Sequence, residues 1–294
     1  MTTGSTAGTF RIGGERTVGR IGFGAMRLST SPAEARETSK AVVRRAVELG
    51  VTLIDTAQLY GWGANEELLA EALHPYPEEL LVATKVGVRP TGDEREADLD
   101  GRPESLRRQV DEAIGRLRVE HLELLQLHRV DPKVPLADQV GALRECQLAG
   151  KIRHIGLSEV TVDELEQARG IVEVASVQNR YNLLDREYEA VLDACEEAGI
   201  AFLPWRPVHT VASSAEPGAA DGIAAVAEEL GATPAQVALA WLLARSPVLL
   251  PIPGTGTVEH LEENLAAADL RLTDEQLQRL DQASSQSPDQ ASPH

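Results

Sequence analysis

The chain has 294 residues, 43% of them apolar, and a formal charge of −18 at pH 7. That composition suffices for a packed core and excludes a fibre or a disordered protein, while the negative charge argues against nucleic acid as a partner. No apolar run approaches the ~20 residues of a membrane span, and MTTGSTAGTF lacks the charged and apolar regions of a signal peptide.

Thr9 to Val18 reads as a short hairpin that turns at Gly13-Gly14. Ile21 to Gly24 is the first expected strand, and a helix follows from Pro32 to Leu49 with Ser31 as N-cap and Gly50 as its stop. The alternation then repeats. Strand Leu53–Asp55 precedes helix Asn65–Leu73; strand Leu81–Lys85 precedes helix Pro103–Leu117; strand Leu122–His128 precedes helix Pro135–Ala149. Strand His154–Ser158 precedes a helix Val162–Arg169 capped by Thr161, and strand Ala175–Gln178 precedes helix Asp185–Ala198, stopped by Gly199. Strand Ile200–Pro204 is followed by helices Gly222–Leu230 and Pro234–Arg245, the latter capped by Thr233. Val248–Ile252 is the last strand, and helices Val258–Ala267 and Thr273–Ala283 close the pattern.

Eight short apolar strands alternating with helices predict an α/β fold, a (β/α)8 TIM barrel with the hairpin at its base, spanning residues 1–294 as one domain. Arg89–Gly101 and His209–Asp221 read as mobile loops over the mouth, and residues 285–294 as a disordered polar tail. Cys146 and Cys195, the two cysteines, fall in helical patterns, so a disulfide scaffold is disfavoured and a cytoplasmic location is expected.

Three ionisable residues end apolar runs on consecutive strands: Asp55, Lys85 and His128. The C-terminal ends of parallel strands are where such folds keep their chemistry, so the three should converge at one rim, with Tyr60 one short turn away. Alone, each has a bland reading: Asp55 as a strand-end cap, Lys85 as an ion-pair partner, His128 as a core histidine, Tyr60 as packing. Together they suggest a phenol whose pKa is moved down by the neighbouring ammonium, poised to protonate a carbonyl oxygen that His128 orients. One histidine and one carboxylate beside a lysine are a poor metal site.

The motifs GFGAMRL, LIDTAQLYG, ATK, LLQLH, IRHIGLSE, VQNRYNLL, LPW and PIPGTGTVEHLEEN occur in order between Gly19 and Leu280. In these the chain resembles the aldo-keto reductase family. The resemblance implies a barrel that reduces aldehydes and ketones with NADPH, and a catalytic tetrad of Asp55, Tyr60, Lys85 and His128, with Tyr60 as general acid.

The resemblance also implies the cofactor contacts. Gly24, Ala25 and Met26 would line the nicotinamide side, Ser158, Glu159 and Gln178 would hold its carboxamide, and Trp205 would stack on its ring. Arg206 would reach the pyrophosphate, and the Gly254-Thr255-Gly256 turn would take the 2′-phosphate at a helix N-terminus. His260, Glu263 and Asn264 fall at the adenine end. Gly254 and His260 stand where many members place Lys and Arg, which leaves NADH open as a cofactor.

The branch resembled includes pyridoxal reductases, so the expected substrate is an aldehyde, pyridoxal or a secondary-metabolite carbonyl among them. The expected state is a monomer or weak homo-oligomer with no membrane or nucleic-acid partner. Two other readings share the barrel. One is a nicotinamide-binding sensor or regulatory subunit that docks a protein partner, which would need an apolar face. The other is an isomerase or aldolase with Lys85 as a Schiff base.

Overall fold

The computed structural model describes residues 7–91, 97–208 and 217–285, with the side chains at 217–220 and 284–285 excepted. The expected polar tail lies outside these residues from position 286 on, as do positions 92–96 and 209–216 of the two expected mouth loops.

Seven parallel strands form one curled sheet: β3 (Phe23–Gly24), β4 (Leu53–Asp55), β5 (Leu81–Val86), β8 (Leu122–Leu127), β9 (Ile152–Ser158), β10 (Val174–Gln178) and β11 (Ala201–Phe202). They lie side by side in chain order, as right-handed β–α–β crossovers require. The eighth expected strand, Val248–Ile252, forms no regular ladder. Pro251 and Pro253 lack the N–H groups a ladder needs.

The segment nonetheless closes the barrel through its backbone. Phe202 N donates to Val248 O at 2.9 Å, Leu250 N to Phe202 O at 2.8 Å, and Gly22 N to Pro251 O at 2.9 Å. Gly24 and Gly254 form the final bridge, and a Cβ on Gly24 would lie 2.6 Å from Ile252 O. Only glycine permits so close a backbone approach at this seam.

Period-two alternation sorts side chains between the barrel interior and the helical layer. Leu53, Leu81, Ala83 and Leu124 fill the interior with Ile12 and Val18, which come from the hairpin β1 (Thr9–Ile12) and β2 (Arg16–Gly19). The hairpin therefore plugs the end where the strands begin. Ile54, Val86, Leu125 and Leu127 point the other way, into the larger core beneath the helices. By the same parity Asp55, Lys85 and His128 follow Leu53, Ala83 and Leu124 inward at the opposite end. On β10 a register shift between Val174 and Ser176 resets the parity.

Ten helices are described: α1 (Ala33–Glu48), α2 (Ala64–Leu73), α3 (Pro103–Leu117), α4 (Leu136–Leu148), α5 (Val162–Arg169), α6 (Glu189–Ala198), α7 (Pro217–Leu230), α8 (Pro234–Arg245), α9 (Val258–Ala266) and α10 (Asp274–Ser285). Thr161 and Thr233 each form a capping box with the residue three positions on, as their sequences predict.

Four expectations are corrected. Ser31 does not cap α1; Pro32 occupies that position with no side-chain cap. Helix α6 starts at Glu189 rather than Asp185, because Asn182 Oδ1 accepts from Leu184 N at 3.0 Å and holds a local turn. Helix α7 begins at Pro217, inside the expected second loop. The first expected loop contains an antiparallel ribbon, β6 (Val88–Pro90) with β7 (Ala97–Leu99). No helix among the described residues is long and apolar enough to cross a membrane.

Candidate active site

The Lys85 ammonium, wholly buried on β5, donates to both Asp55 carboxylate oxygens at 2.8 and 2.7 Å and to Thr56 O at 2.7 Å. Asp55 Oδ1 also accepts from Gln178 Nε2 at 2.8 Å and from Gln126 Nε2 at 3.4 Å. The carboxylate is thus held from three other strands, and the buried charge pair is hydrogen-bonded on both sides, as burial demands.

Tyr60 follows β4 on a turn where its N–H donates to Ala57 O at 3.1 Å. Its ring centroid lies 5.2 Å from Lys85 Nζ and meets the His128 ring edge-on at 6.3 Å. Tyr60 lines the cavity at this end of the barrel, and its hydroxyl is desolvated beside Lys85. Burial therefore raises the Tyr60 pKa above the ordinary 10.0, with Lys85 pulling it back and Asp55 adding to the rise. This corrects the expected downward shift: desolvation outweighs the neighbouring ammonium.

Burial pushes the Lys85 ammonium down, but the Asp55 carboxylate and Tyr60 more than offset it, so its pKa is raised and it stays charged. His128 is driven well below 6.5, first by burial and then by Lys85 and Arg129, so the imidazole is neutral at pH 7. Its Nδ1 is buried without a partner among the described residues, a polar atom left for a ligand.

Above these residues lies a cavity of about 320 Å³ lined by Gly24, Met26, Asp55, Tyr60, His128, Ser158, Gln178, Trp205, Arg206 and Gly254 of the expected set. Ten of the sequence-derived site residues are thereby brought to one mouth, with Lys85 directly beneath Asp55.

The others are placed differently. Ala25 is fully buried behind the lining, and its carbonyl accepts from Asn65 Nδ2 at 3.0 Å. The Glu159 carboxylate does not line the cavity: it accepts from Trp205 Nε1, from Arg180 N at 2.8 Å and from Tyr188 Oη at 3.4 Å. It braces the tryptophan. Glu159 and Arg206 both hold left-handed backbone, φ 55° and 53°, which re-aims the chain at this rim.

Thr255 is buried, its Oγ1 accepting from Thr257 N at 3.2 Å, and Gly256 is half-buried beside it. Glu263 Oε1 accepts from Thr233 Oγ1 at 2.6 Å, Asn264 faces inward at 8% exposure, and His260 is exposed. Glu263 and Asn264 are thus engaged within the fold rather than presented at its surface.

Sequence reasoning missed three groups. Arg27 and Arg129 line the same cavity, and Arg129 Nη1 donates to His128 O at 2.6 Å and Ser158 Oγ at 3.1 Å. The arginine immediately after His128 at a strand end was the available signal. Asn65, the third, links two loops: it accepts from Thr56 Oγ1 at 2.7 Å as well as donating to Ala25 O. Among the described residues no group of three or more His, Cys, Asp or Glu is placed to hold a metal ion.

Comparison with known proteins agrees with this geometry. The model of the Aldo/keto reductase family matches residues 20–285. An uncharacterized oxidoreductase of Schizosaccharomyces pombe is 45% identical over 95% of this chain and 90% of its own length. Pyridoxine 4-dehydrogenase of Escherichia coli is 38% identical over 94% and 98%. A crystal structure of an aldo-keto reductase from Klebsiella pneumoniae in complex with NADPH superposes with a TM-score of 0.80 at 27% identity, covering 93% of this chain and 94% of the other. A match along nearly its whole length places the chain in the aldo/keto reductase family.

Proposed function

We propose that the protein reduces the carbonyl of an aldehyde in an NADPH-dependent reaction, with Tyr60 giving the proton to the carbonyl oxygen. The observation that carries this reading is the Lys85 ammonium, fixed by both Asp55 oxygens and 5.2 Å from the Tyr60 ring centroid. When bound, the cofactor supplies a hydride to the carbonyl carbon.

The residues at the mouth fit such a group. Trp205 is half-buried at the rim, and Ser158 and Gln178 are polar side chains at the tips of β9 and β10. The Gly254–Thr257 turn leads into the N-terminus of α9, where Thr257 Oγ1 accepts from His260 N at 3.3 Å, and helix N-termini favour phosphate. Arg27 and Arg206 bring positive charge to the same mouth in a chain of net charge −18. NADPH is the first choice because it is the ligand of the Klebsiella relative; Gly254 and His260, which stand where many members place Lys and Arg, keep NADH as the competitor.

In the reaction as proposed, a carbonyl enters between the Tyr60 hydroxyl and the neutral His128. His128 hydrogen-bonds the oxygen and sets its orientation. As negative charge grows there, Tyr60 releases its proton, and the phenolate left behind is stabilised by the adjacent ammonium. Asp55 keeps that ammonium in place. Pyridoxal leads the candidate substrates, because a 38% identical relative is named for dehydrogenation at the 4-position of pyridoxine.

We read the chain as one barrel unit, a monomer or weak homo-oligomer, working in the cytoplasm with its two buried thiols reduced. The docking-subunit reading has little to stand on. Among the described residues the large apolar side chains left exposed are Met26, at the cavity, and Leu148, at a helix end.

Titration with NADPH and NADH, followed by fluorescence, and then NADPH consumption across an aldehyde panel headed by pyridoxal, tests the proposal. Saturable binding with turnover of at least one aldehyde is expected. Binding without turnover of any aldehyde in either direction overturns it.

A further inference from the structure

We propose that Arg129 reads a negatively charged group on the substrate, so that the preferred aldehydes carry a carboxylate or phosphate close to the carbonyl. This rests on the carbonyl-reductase reading and adds the substrate's charge to it.

Three guanidinium groups, Arg27, Arg129 and Arg206, line the mouth cavity of a chain whose net charge is −18. Asp55, the carboxylate among the lining residues, is already neutralised by Lys85. Among the described residues the lining is therefore net positive, which favours anions over neutral molecules.

The three arginines do not share one position around the barrel. Arg27 follows β3, and its Cγ lies 3.7 Å from where a Cβ on Gly254 would sit, beside the expected phosphate turn. The Arg206 guanidinium lies 5.1 Å from the Trp205 ring centroid. Arg129 follows β8 and is tied to the tips of β8 and β9 through His128 O and Ser158 Oγ. In the strand order, those tips are half-way round the barrel from the Gly24–Gly254 seam. A cofactor whose carboxamide is held by Ser158 and Gln178 meets Arg129 only through Ser158 Oγ, the partner of Nη1, and leaves the rest of the fork for a second group.

The guanidinium itself is only partly used. Nη1 makes both hydrogen bonds, and among the described residues no carboxylate pairs with Arg129. A half-buried guanidinium with Nε and Nη2 uncommitted is a ready fork for an anionic oxygen pair. Its backbone neighbour His128 meets Tyr60 at 6.3 Å, and all three line one cavity, so an anion on Arg129 shares the mouth with the carbonyl.

Two matched pairs test the inference: 3-carboxybenzaldehyde against benzaldehyde, and pyridoxal 5′-phosphate against pyridoxal, each measured as kcat/KM with saturating NADPH. The wild-type protein should favour the charged member of at least one pair by roughly tenfold or more, the size of a charge-assisted hydrogen bond. The pair that shows the preference identifies carboxylate or phosphate as the source. Arg129→Gln should bring that ratio close to one, and Arg129→Lys should restore part of it. NADPH binding, measured in parallel by fluorescence, reports that each variant is folded.

A wild-type ratio near one in both pairs overturns the inference while leaving the reductase reading intact. So does an Arg129→Gln variant that weakens NADPH binding and leaves the ratio unchanged, since the arginine would then serve the cofactor. Absence of turnover with all four aldehydes removes the reductase reading and this inference with it.

Discussion

Lys85 and Asp55 form a buried ion pair in which one ammonium is shared between two carboxylate oxygens at 2.8 and 2.7 Å, with the side chains 0% and 4% exposed. Isolated burial of either charge is expensive, so each residue is the condition for the other. Lys85→Met leaves the carboxylate of Asp55 unpaired among Gln126 and Gln178 and should cost about 3–5 kcal/mol of stability. The double variant Asp55→Asn/Lys85→Met removes both charges and should be more stable than Lys85→Met alone. Urea unfolding of the four proteins in the cycle gives the coupling, and simple additivity would show that the pair is not energetically linked.

Tyr60→Phe keeps the ring against His128 and removes only the hydroxyl. Loss of a general acid costs roughly 10²–10⁴-fold in rate, so reduction should fall by at least a hundredfold while NADPH affinity changes little. Single-turnover measurement with pyridoxal separates the two quantities. Retention of near-wild-type turnover would assign the proton to another donor.

The pH dependence follows from two shifts. The acid must carry its proton, and burial, less the pull of Lys85, holds Tyr60 above 10.0, so kcat/KM for reduction should stay level through neutral pH and fall only above pH 10. His128 is held neutral well below 6.5, so no inflection should appear near pH 6.5. A profile recorded from pH 5 to 11 with an aldehyde that does not ionise checks both limbs; a break at 6.5 would mean that His128 titrates as an exposed imidazole does.

The barrel was legible in the sequence because its strands are apolar runs of the right length separated by capped helices, and Thr161 and Thr233 mark their helix starts at the residue. The convergence of Asp55, Lys85 and His128 was legible for a related reason: strand parity alone carries them inward once Leu53, Ala83 and Leu124 are placed inside.

What the sequence concealed depends on tertiary context. The sign of the Tyr60 shift reflects a contest between desolvation and Lys85, and residue order gives no measure of burial depth. The last strand was read at Val248–Ile252, but not that its backbone closes the seam through isolated hydrogen bonds rather than a regular ladder. The partners of Glu159 were not legible because they come from Arg180, Tyr188 and Trp205, brought together at a left-handed backbone that nothing local in its sequence requires.

Glu159 accepts from the indole Nε1 of Trp205, from Arg180 N at 2.8 Å and from Tyr188 Oη at 3.4 Å, so three elements are drawn onto one carboxylate. That arrangement fixes the Trp205 ring at the cavity wall, where a cofactor ring would stack. Glu159→Ala removes the acceptor, leaves the indole N–H unpartnered and frees the ring to leave its position. NADPH affinity should then weaken by roughly tenfold, the scale of one charged hydrogen bond, with a smaller change in the rate of the chemical step. Glu159→Gln keeps an oxygen that can accept from the indole and should recover most of the affinity. Fluorescence titration with NADPH distinguishes these outcomes: equal affinities in all three proteins would mean that Trp205 holds its place without the carboxylate.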